Sequence, residues 1–136
     1  MNPIRSMQIC LALGAVLSGC GDEKAPGTVH AGDVLVYEGR QAVQCGSRGL
    51  TTGQSAQKLI NGGIDVLASN CGVVTGVAYP ALCGQPTGEI LIHEIRSVNV
   101  PDAEQHGFNP VVELQDPAAG VSWEKVDCQT GVVIAR

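Results

Sequence analysis

The sequence predicts an α+β domain over residues 33–136, with the element order βαββαβ and an added C-terminal hairpin. Strand-like segments alternate with short helical segments, and each helical segment is followed by a glycine and a large apolar residue, as at Gly63-Ile64 and Gly107-Phe108. Four of the cysteines lie in this region and can brace it with two disulfides. Alternating strands and helices within about 100 residues are typical of one domain with one packed core.

The first half of the domain contains strand-like segments on either side of a helix. Residues 33–38 and 41–45 are separated by a short turn, so they form one bent strand or a hairpin. Thr51 offers an N-cap, and apolar residues then recur at helical spacing until a pair of glycines stops the helix. This pattern predicts a helix of about ten residues, followed by a strand over residues 64–69.

The second half repeats this order. Residues 89–95 combine β-branched side chains with alternation and form a strand. Pro101 opens a short helical turn, a glycine closes it, and residues 110–114 supply the next strand. Residues 123–128 and 132–135, joined by a turn that contains a glycine, add the C-terminal hairpin.

The order βαββαβ is that of the ferredoxin-like sandwich. Over residues 41–114 the chain resembles small envelope modules such as the peptidoglycan-binding SPOR domain, in the order of elements and in the glycine-plus-apolar step after each helix. The resemblance implies the architecture alone, because no binding residue of that family is matched and the four cysteines depart from its pattern. This scaffold hosts many unrelated functions.

Residues 1–19 have the three parts of a secretory signal. Arg5 supplies the positive start, residues 9–17 are apolar, and small residues follow. The apolar run is shorter than the roughly 20 residues that a membrane-spanning helix needs. A buried amphipathic helix is the alternative, but the run has no polar face. We therefore expect residues 1–19 to be a removable signal peptide.

Directly after this apolar run, Leu17, Ser18, Gly19 and Cys20 resemble the lipobox of bacterial lipoproteins. The resemblance implies a thioether-linked diacylglycerol on Cys20, cleavage before Cys20, and usually an acyl chain such as palmitate on the new amino group. Each buried CH₂ contributes about 0.8 kcal/mol, so two or three chains make the anchor effectively permanent. The membrane is thus the expected partner of Cys20.

The residues after Cys20 indicate the destination and the spacing of the domain. Gly21 rather than aspartate follows Cys20, which by resemblance to enterobacterial lipoproteins favours the outer membrane, facing the periplasm, while Asp22 leaves the inner membrane open. Residues 20–32 are polar and contain glycine and proline, so they form a flexible tether. As a coil this tether would span about 20 Å on average.

Composition limits the classes of partner. Removal of residues 1–19 leaves about 117 residues, enough for one domain. The full chain has a net charge of −5, and this acidic balance persists after cleavage because Arg5 is the only charged residue of the signal; it argues against nucleic acid as a partner. Aromatic residues are few, so the core is aliphatic and no aromatic platform for sugars or bases is expected.

Four cysteines remain once Cys10 has left with the signal and Cys20 carries lipid. They are Cys45, Cys71, Cys83 and Cys128. An even number in an oxidising envelope predicts two disulfides, for which three connectivities exist. A metal site is the alternative, but the chain has no Cys-x-x-Cys pair and no histidine at a short ligand spacing. No metal or cofactor is therefore predicted.

The two-half arrangement favours one pairing of these cysteines. Cys71 follows the predicted strand of residues 64–69, and Cys83 precedes the strand that opens the second half, so a Cys71–Cys83 bridge would close the loop between them. Cys45 would then pair with Cys128. A Cys45–Cys71 bridge between the first two core strands remains open.

The histidines and serines form no recognisable catalytic motif. A dyad of His93 with Glu89 or Glu94 can be imagined, but adjacent strand residues point to opposite faces, so His93 cannot pair directly with Glu94. We interpret His93 as an ordinary sheet-face residue, and His30 and His106 need no catalytic role. The serines lack a Gly-x-Ser-x-Gly setting.

Residues 74–88 form the loop in which a recognition surface is expected, because loops on rigid scaffolds often carry binding function. The expected function is a noncatalytic binding or interaction module in the cell envelope, with an envelope protein or a cell-wall component as partner. The alternative is a small envelope enzyme, or a metal- or thiol-handling protein, that uses cysteine or histidine groups. A purely structural role is a third possibility, and the sequence names no ligand.

Overall fold

The computed structural model describes residues 32–134. The predicted signal peptide, the lipobox with Cys20, residues 20–31 of the predicted tether and residue 135 of the predicted hairpin lie outside this range. Within it, none of the helices has the length and apolar character required to cross a membrane.

Strands and helices alternate along the chain and build one sheet with helices packed on it. The elements are β1 (Asp33–Gly39), α1 (Thr52–Asn61), β2 (Ala68–Thr75), β3 (Glu89–Arg96), α2 (Val100–Gln105), β4 (Asn109–Pro110) and β5 (Ser122–Val126). The five strands lie in the order β4-β1-β3-β2-β5, and every neighbouring pair is antiparallel. The predicted α+β class is confirmed.

Helix α1 lies where the sequence predicts it, because its start is specified locally. The Thr51 hydroxyl accepts a hydrogen bond from the Gln54 backbone N–H at 3.1 Å, and the Gln54 side-chain oxygen accepts one from the Thr51 N–H at 2.9 Å. This capping box satisfies two backbone donors that a helix start otherwise leaves unpaired. Gly63, at a φ of +79°, ends the helix in the left-handed conformation that glycine tolerates.

Strand β2 begins later and runs further than predicted. Residues 64–67 are not a strand; they carry Ile64, which is 2% exposed, into the core beneath α1. The strand then continues to Thr75, because it pairs with β3 on one side and with β5 on the other. The predicted strand over residues 64–69 is therefore wrong in its first part.

Two other predicted strands are wrong for local backbone reasons. Residues 41–45 contain two non-glycine residues in the left-handed region, Gln41 at a φ of 62° and Cys45 at 59°, so only one isolated bridge forms there. In the predicted strand over residues 110–114, only Pro110 pairs with β1, and a 3-10 helix follows over Val111–Leu114. Proline has no N–H to extend a ladder, which ends β4.

The predicted C-terminal hairpin is present in reduced form. Its first arm is β5, and its second arm makes one isolated bridge, Val126 to Val133, and a hydrogen bond from the Ile134 N–H to the Lys125 carbonyl at 3.0 Å. The turn between them is held by the Asp127 carboxylate, which accepts two backbone N–H bonds at 2.8 and 2.9 Å.

The sheet carries a core on each face. Both helices pack on one face, where the fully buried cluster consists of Val36, Leu59, Ile64, Ile95, Ala103 and Phe108. The opposite face is covered in part by the 3-10 helix, which places Val111 on Ile90 and Ile92. The partly buried side chains around this second cluster are Leu35, Tyr37, Val74, Leu114 and Trp123.

Two disulfides form, as predicted, but the predicted pairing is wrong. The bridges are Cys45–Cys83 and Cys71–Cys128, with Cα–Cα distances of 5.0 and 5.2 Å. Cys71 lies in the middle of β2, directly opposite Val126 of β5, so its side chain is beside the end of β5 and not beside the loop of Cys83. The other pairing considered, Cys45–Cys71, does not form either.

Candidate functional site

A cleft of about 420 Å³ opens at one end of the sheet, on the face opposite the helices. Its floor is formed by the ends of β1, β2 and β3, and its walls come from the segment after β1 and from the loop between β2 and β3. The lining residues are Tyr37, Gly39, Gln41, Ala42, Val74, Tyr79, Pro86, Gly88, Glu89, Ile90 and Leu114. The volume falls within the range of small-molecule sites, roughly 300–1,000 Å³.

Both tyrosines of the chain line this cleft, although one lies in a strand and the other in a loop. Tyr79 packs on the backbone of Gly88, whose φ is +77°, and a Cβ at position 88 would collide with the ring. Glycine is thus required there both for the backbone conformation and for the approach of the ring. Tyr79 is therefore held in place by packing.

The two loop segments that wall the cleft are paired to each other. Ala42 accepts a hydrogen bond from the Thr87 N–H at 3.2 Å, and Gln44 exchanges backbone bonds with Gln85 and Gly84 at 2.8 and 2.9 Å. The Cys45–Cys83 disulfide crosslinks the same two segments. Pairing and crosslink together fix the walls of the cleft, which lowers the entropic cost of binding a ligand.

Gln41 belongs to the first wall of the cleft and has a left-handed backbone conformation, at a φ of 62°. A side chain other than glycine in this region costs about 1 kcal/mol or more. Strain of this kind persists where surrounding contacts determine the backbone, and such positions cluster at binding sites. Gln41 thereby adds an amide donor and acceptor to a cleft whose floor is apolar.

The hydroxyl of Tyr37 experiences a negative environment. Burial raises the pKa of Tyr37, and the nearby Glu113 carboxylate and Tyr79 hydroxyl raise it further. Glu113 belongs to the 3-10 helix that ends at Leu114, a lining residue. The Tyr37 phenol carries a hydroxyl that can donate a hydrogen bond.

Glu89 lines the cleft, but its carboxylate already accepts hydrogen bonds from two other side chains. The buried Arg40 guanidinium donates to Glu89 Oε1 at 3.2 Å, and the Thr87 hydroxyl donates to Glu89 Oε2 at 3.0 Å. Arg40 also donates to the carbonyls of Leu50 and Cys128 at 3.2 and 3.0 Å. Arg40 thus joins three separate segments of the chain, and its contacts are structural.

A second polar group lies on the helix-covered face, where a chain of side chains crosses the core from β1 to β2. The Lys58 ammonium pairs with the Glu38 carboxylate, and Ser55 donates to Glu38 Oε1 at 2.6 Å. His93, which is fully buried, bonds Ser55 through Nε2 and Ser69 through Nδ1, each at 2.8 Å.

The Glu38–Lys58 ion pair lies at one end of this series of hydrogen-bonded side chains, and it fixes the direction of every hydrogen bond in the series. The Glu38 carboxylate is paired with a lysine and accepts hydrogen bonds, so the Ser55 hydroxyl donates its one proton to Glu38. Ser55 must then accept from His93 Nε2–H, which leaves Nδ1 to accept from the Ser69 hydroxyl. Burial lowers the pKa of His93 to about 4, although Glu38 acts in the opposite direction, so the ring is neutral at pH 7.

The structure corrects and extends the expectations for the candidate residues. His93 lies in a strand, as expected, but it is a buried member of a hydrogen-bonded chain whose carboxylate is Glu38, and neither Glu89 nor Glu94 bonds it. All four cysteines in the described range are in disulfides. No group of three or more His, Cys, Asp or Glu side chains in residues 32–134 is arranged to hold a metal ion.

The loop of residues 74–88 contributes Val74, Tyr79, Pro86 and Gly88 to the cleft. Sequence reasoning missed the other half of the site, because it expected no aromatic platform and treated Tyr37 only as part of a strand. One signal was available: alternation in β1 places Tyr37 on the face opposite Val36, which is a core residue on the helix side.

Comparisons with protein-family models, with curated proteins and with solved structures found no match to this chain.

Proposed function

We propose that this protein is a lipid-anchored envelope lipoprotein whose domain is a noncatalytic binding module, and that its binding site is the cleft between Tyr37 and Tyr79. The observation that carries the proposal is that both tyrosines of an aromatic-poor chain line one cleft. Tyrosine is enriched at recognition sites, since it combines a large contact area with a hydroxyl and few rotatable bonds. The crosslinked walls keep this site formed before a ligand arrives.

The proposed location in the cell envelope rests on the lipobox-like residues 17–20 and is supported by the pairing of the four cysteines. Disulfides form and persist in exported proteins and are rare in reducing compartments. The lipid on Cys20 would hold the domain at a membrane, with the outer membrane facing the periplasm favoured by Gly21. The tether of residues 20–32 would then let the cleft reach an envelope protein or a cell-wall component about 20 Å from the lipid surface.

The architecture that we propose is a ferredoxin-like sandwich with one strand added at its edge. Two observations support this: the element order β1-α1-β2-β3-α2-β4, and the antiparallel neighbours β4-β1-β3-β2, to which β5 is appended. Both helices share one face, as such a sandwich requires. The cleft then lies on the face that the helices leave open.

The anchoring proposal is tested by lipid labelling of the full chain. Cys20→Ala should abolish incorporation of labelled acyl chains and leave unprocessed precursor or a soluble product. Cys10→Ala is the matched control, because this cysteine lies inside the predicted signal peptide and should be dispensable for labelling. Normal processing and membrane attachment of the Cys20→Ala variant would refute the proposal.

The tether is tested separately from the anchor. Deletion of about half of residues 21–32 should leave the melting temperature of the domain unchanged, because a spacer makes no contribution to the core. A large fall in the melting temperature would mean that the segment packs on the domain.

The binding proposal is tested by crosslinking from the cleft in intact cells. A photoreactive residue at Gln41 should capture a reproducible partner or ligand, and the same residue at Glu124, an exposed position in β5 outside the lining, should not. Equal capture from the two positions would contradict a role for the cleft.

A small envelope enzyme that uses His93 is the second candidate, and one contact favours it: the exposed Ser69 donates to a histidine that is held by Ser55 and Glu38. A base with a pKa of about 4 accepts a proton weakly at neutral pH, which favours the binding function. If a fluorophosphonate labelled the protein, and if this labelling were lost in Ser69→Ala and kept in Ser47→Ala, the enzyme would be favoured over the binding module.

A further inference from the structure

We propose that the ligand of the cleft is a small organic cation, a quaternary or protonated ammonium compound with an apolar body. This inference rests on the proposed binding function and adds the chemical class of the ligand. It follows from the charge and the composition of the lining, together with the arrangement of the two tyrosines.

The charges around the cleft favour a cation. No lysine or arginine in the described part of the chain lines it. Glu89 is neutralised by Arg40, whereas the exposed Glu113, which acts on the Tyr37 hydroxyl, makes no salt bridge within residues 32–134. An anionic ligand would find no opposite charge in this lining, whereas Glu113 directly precedes the lining residue Leu114 in the 3-10 helix, so its carboxylate can attract an ammonium group.

The aromatic rings supply the second attraction. A cation over the face of a tyrosine within about 6 Å is attracted by the ring quadrupole, and this attraction grows as the site is dried. Tyr37 and Tyr79 are both half-buried, and both line the cleft. An ammonium group bound in the cleft would therefore be near two aromatic rings.

The remaining lining selects an apolar body. Val74, Ile90 and Leu114 present aliphatic side chains, and they belong to the cluster that covers this face of the sheet. A volume of about 420 Å³ accommodates a compound of modest size and excludes a folded partner from the interior. The Gln41 amide is the neutral polar group available for a hydroxyl or a carbonyl of the ligand.

The experiment compares choline with its uncharged isostere 3,3-dimethylbutan-1-ol, which has the same shape and lacks the charge. Residues 20–136 carrying Cys20→Ser provide the full mature chain without lipid, and methyl NMR shifts of Val74, Ile90 and Leu114 report occupancy. We expect saturable shifts with choline and an affinity about 2- to 30-fold weaker for the isostere, the range that cation–π contacts span.

Three variants connect the preference to the residues that are proposed to cause it. Tyr37→Leu should reduce the choline affinity toward that of the isostere while the domain keeps its NMR spectrum elsewhere. Glu113→Gln should weaken choline about two- to fivefold at low ionic strength and leave the isostere unchanged. Glu124→Gln removes an exposed carboxylate that is outside the lining, and it should change neither affinity.

The outcomes separate this inference from the proposed function. Equal binding of choline and the isostere would refute the proposal that the ligand is a cation, as would binding of acetate or inorganic phosphate in the cleft. Either result would leave the binding function in place. Binding of phosphatidylcholine vesicles without binding of choline would likewise overturn a free small molecule as the ligand. If the cleft methyl groups respond to none of these probes and the Gln41 crosslinks capture nothing, both proposals fail.

Discussion

Acid should destabilise this domain through His93, and the loss should begin well above the pKa of the buried ring. The folded-state pKa is lowered from 6.5 to about 4, chiefly by burial. Between these values the unfolded chain binds a proton that the folded chain refuses, so the free energy of unfolding falls as the pH falls through this window. The stabilising effect of the neutral ring is fully present above about pH 6.5.

The magnitude follows from the size of the shift. Each pKa unit corresponds to 1.36 kcal/mol, so a shift of about 2.5 units amounts to about 3 kcal/mol once the pH is below 4. Between pH 7 and pH 5 the loss from this one group is about 2 kcal/mol. That is a large part of the 5–15 kcal/mol that stabilises an ordinary domain.

Urea unfolding at a series of pH values measures this loss. His93→Gln cannot gain the proton, so the variant should lose less stability than the wild type between pH 7 and pH 5, by about 2 kcal/mol, even if it is less stable at pH 7. His106→Gln removes an exposed histidine outside the chain of hydrogen bonds and controls for the loss of an imidazole. Parallel pH profiles for the wild type and His93→Gln would refute the reasoning, as would an NMR titration of His93 with a midpoint near 6.5.

Other perturbations test the crosslinks and the cleft. Cys45→Ala with Cys83→Ala should lower the free energy of unfolding by about 2–4 kcal/mol and broaden the NMR signals of the cleft walls; sharp, unshifted signals would contradict the bracing role. Arg40→Met leaves its carboxylate partner unpaired and should cost about 3 kcal/mol in urea unfolding, so a neutral result would contradict its structural role. Gly88→Ala and Gly84→Ala both place alanine at a positive φ, but only Gly88→Ala meets the tyrosine ring; it should therefore destabilise more, and equal melting temperatures would refute that contact.

Local signals made part of the fold predictable from the sequence. Helix α1 begins where Thr51 and Gln54 cap each other, an interaction complete within four neighbouring residues, so no tertiary information is needed to find it. Strand β3 was equally clear, because β-branched residues and alternation mark a strand; the structure buries it on both faces. The apolar residue after the second helix, Phe108, is fully buried, as a core position would be.

Strand β2 was not predictable in the same way, and the error in the disulfides followed from it. Asn70 and Gly72 have low strand propensity, and only the pairing of β2 with both β3 and β5 keeps them extended. Gly72 is also held close, since a Cβ there would lie 2.8 Å from Ile92 Cδ1. A strand placed too early puts Cys71 in a loop, where the predicted bridge to Cys83 looked reasonable.

The cleft and the hydrogen-bonded side chains around His93 could not be found from the spacing of residues in the sequence, because each is assembled from separate elements. Ser69 meets His93 only through the register of β2 against β3, in which these residues are direct partners. Glu38 reaches the same histidine through Ser55, one turn into α1. The carboxylates near His93 in the sequence, Glu89 and Glu94, are therefore not the one that the fold connects to it.

The division of the two features between the faces of the sheet has a functional consequence. The chain through His93 is buried under α1, packed against Phe108 at a ring-centroid distance of 5.7 Å, and every polar atom that it needs is supplied internally. Such a satisfied network rigidifies the sheet from behind. The cleft on the other face has the reverse character, because two tyrosines and the amide residue Gln41 stand around an apolar floor. Polar groups that the fold satisfies contribute to stability, whereas polar side chains around an apolar cleft can bind a ligand, so we propose the cleft, and not the histidine, as the recognition site.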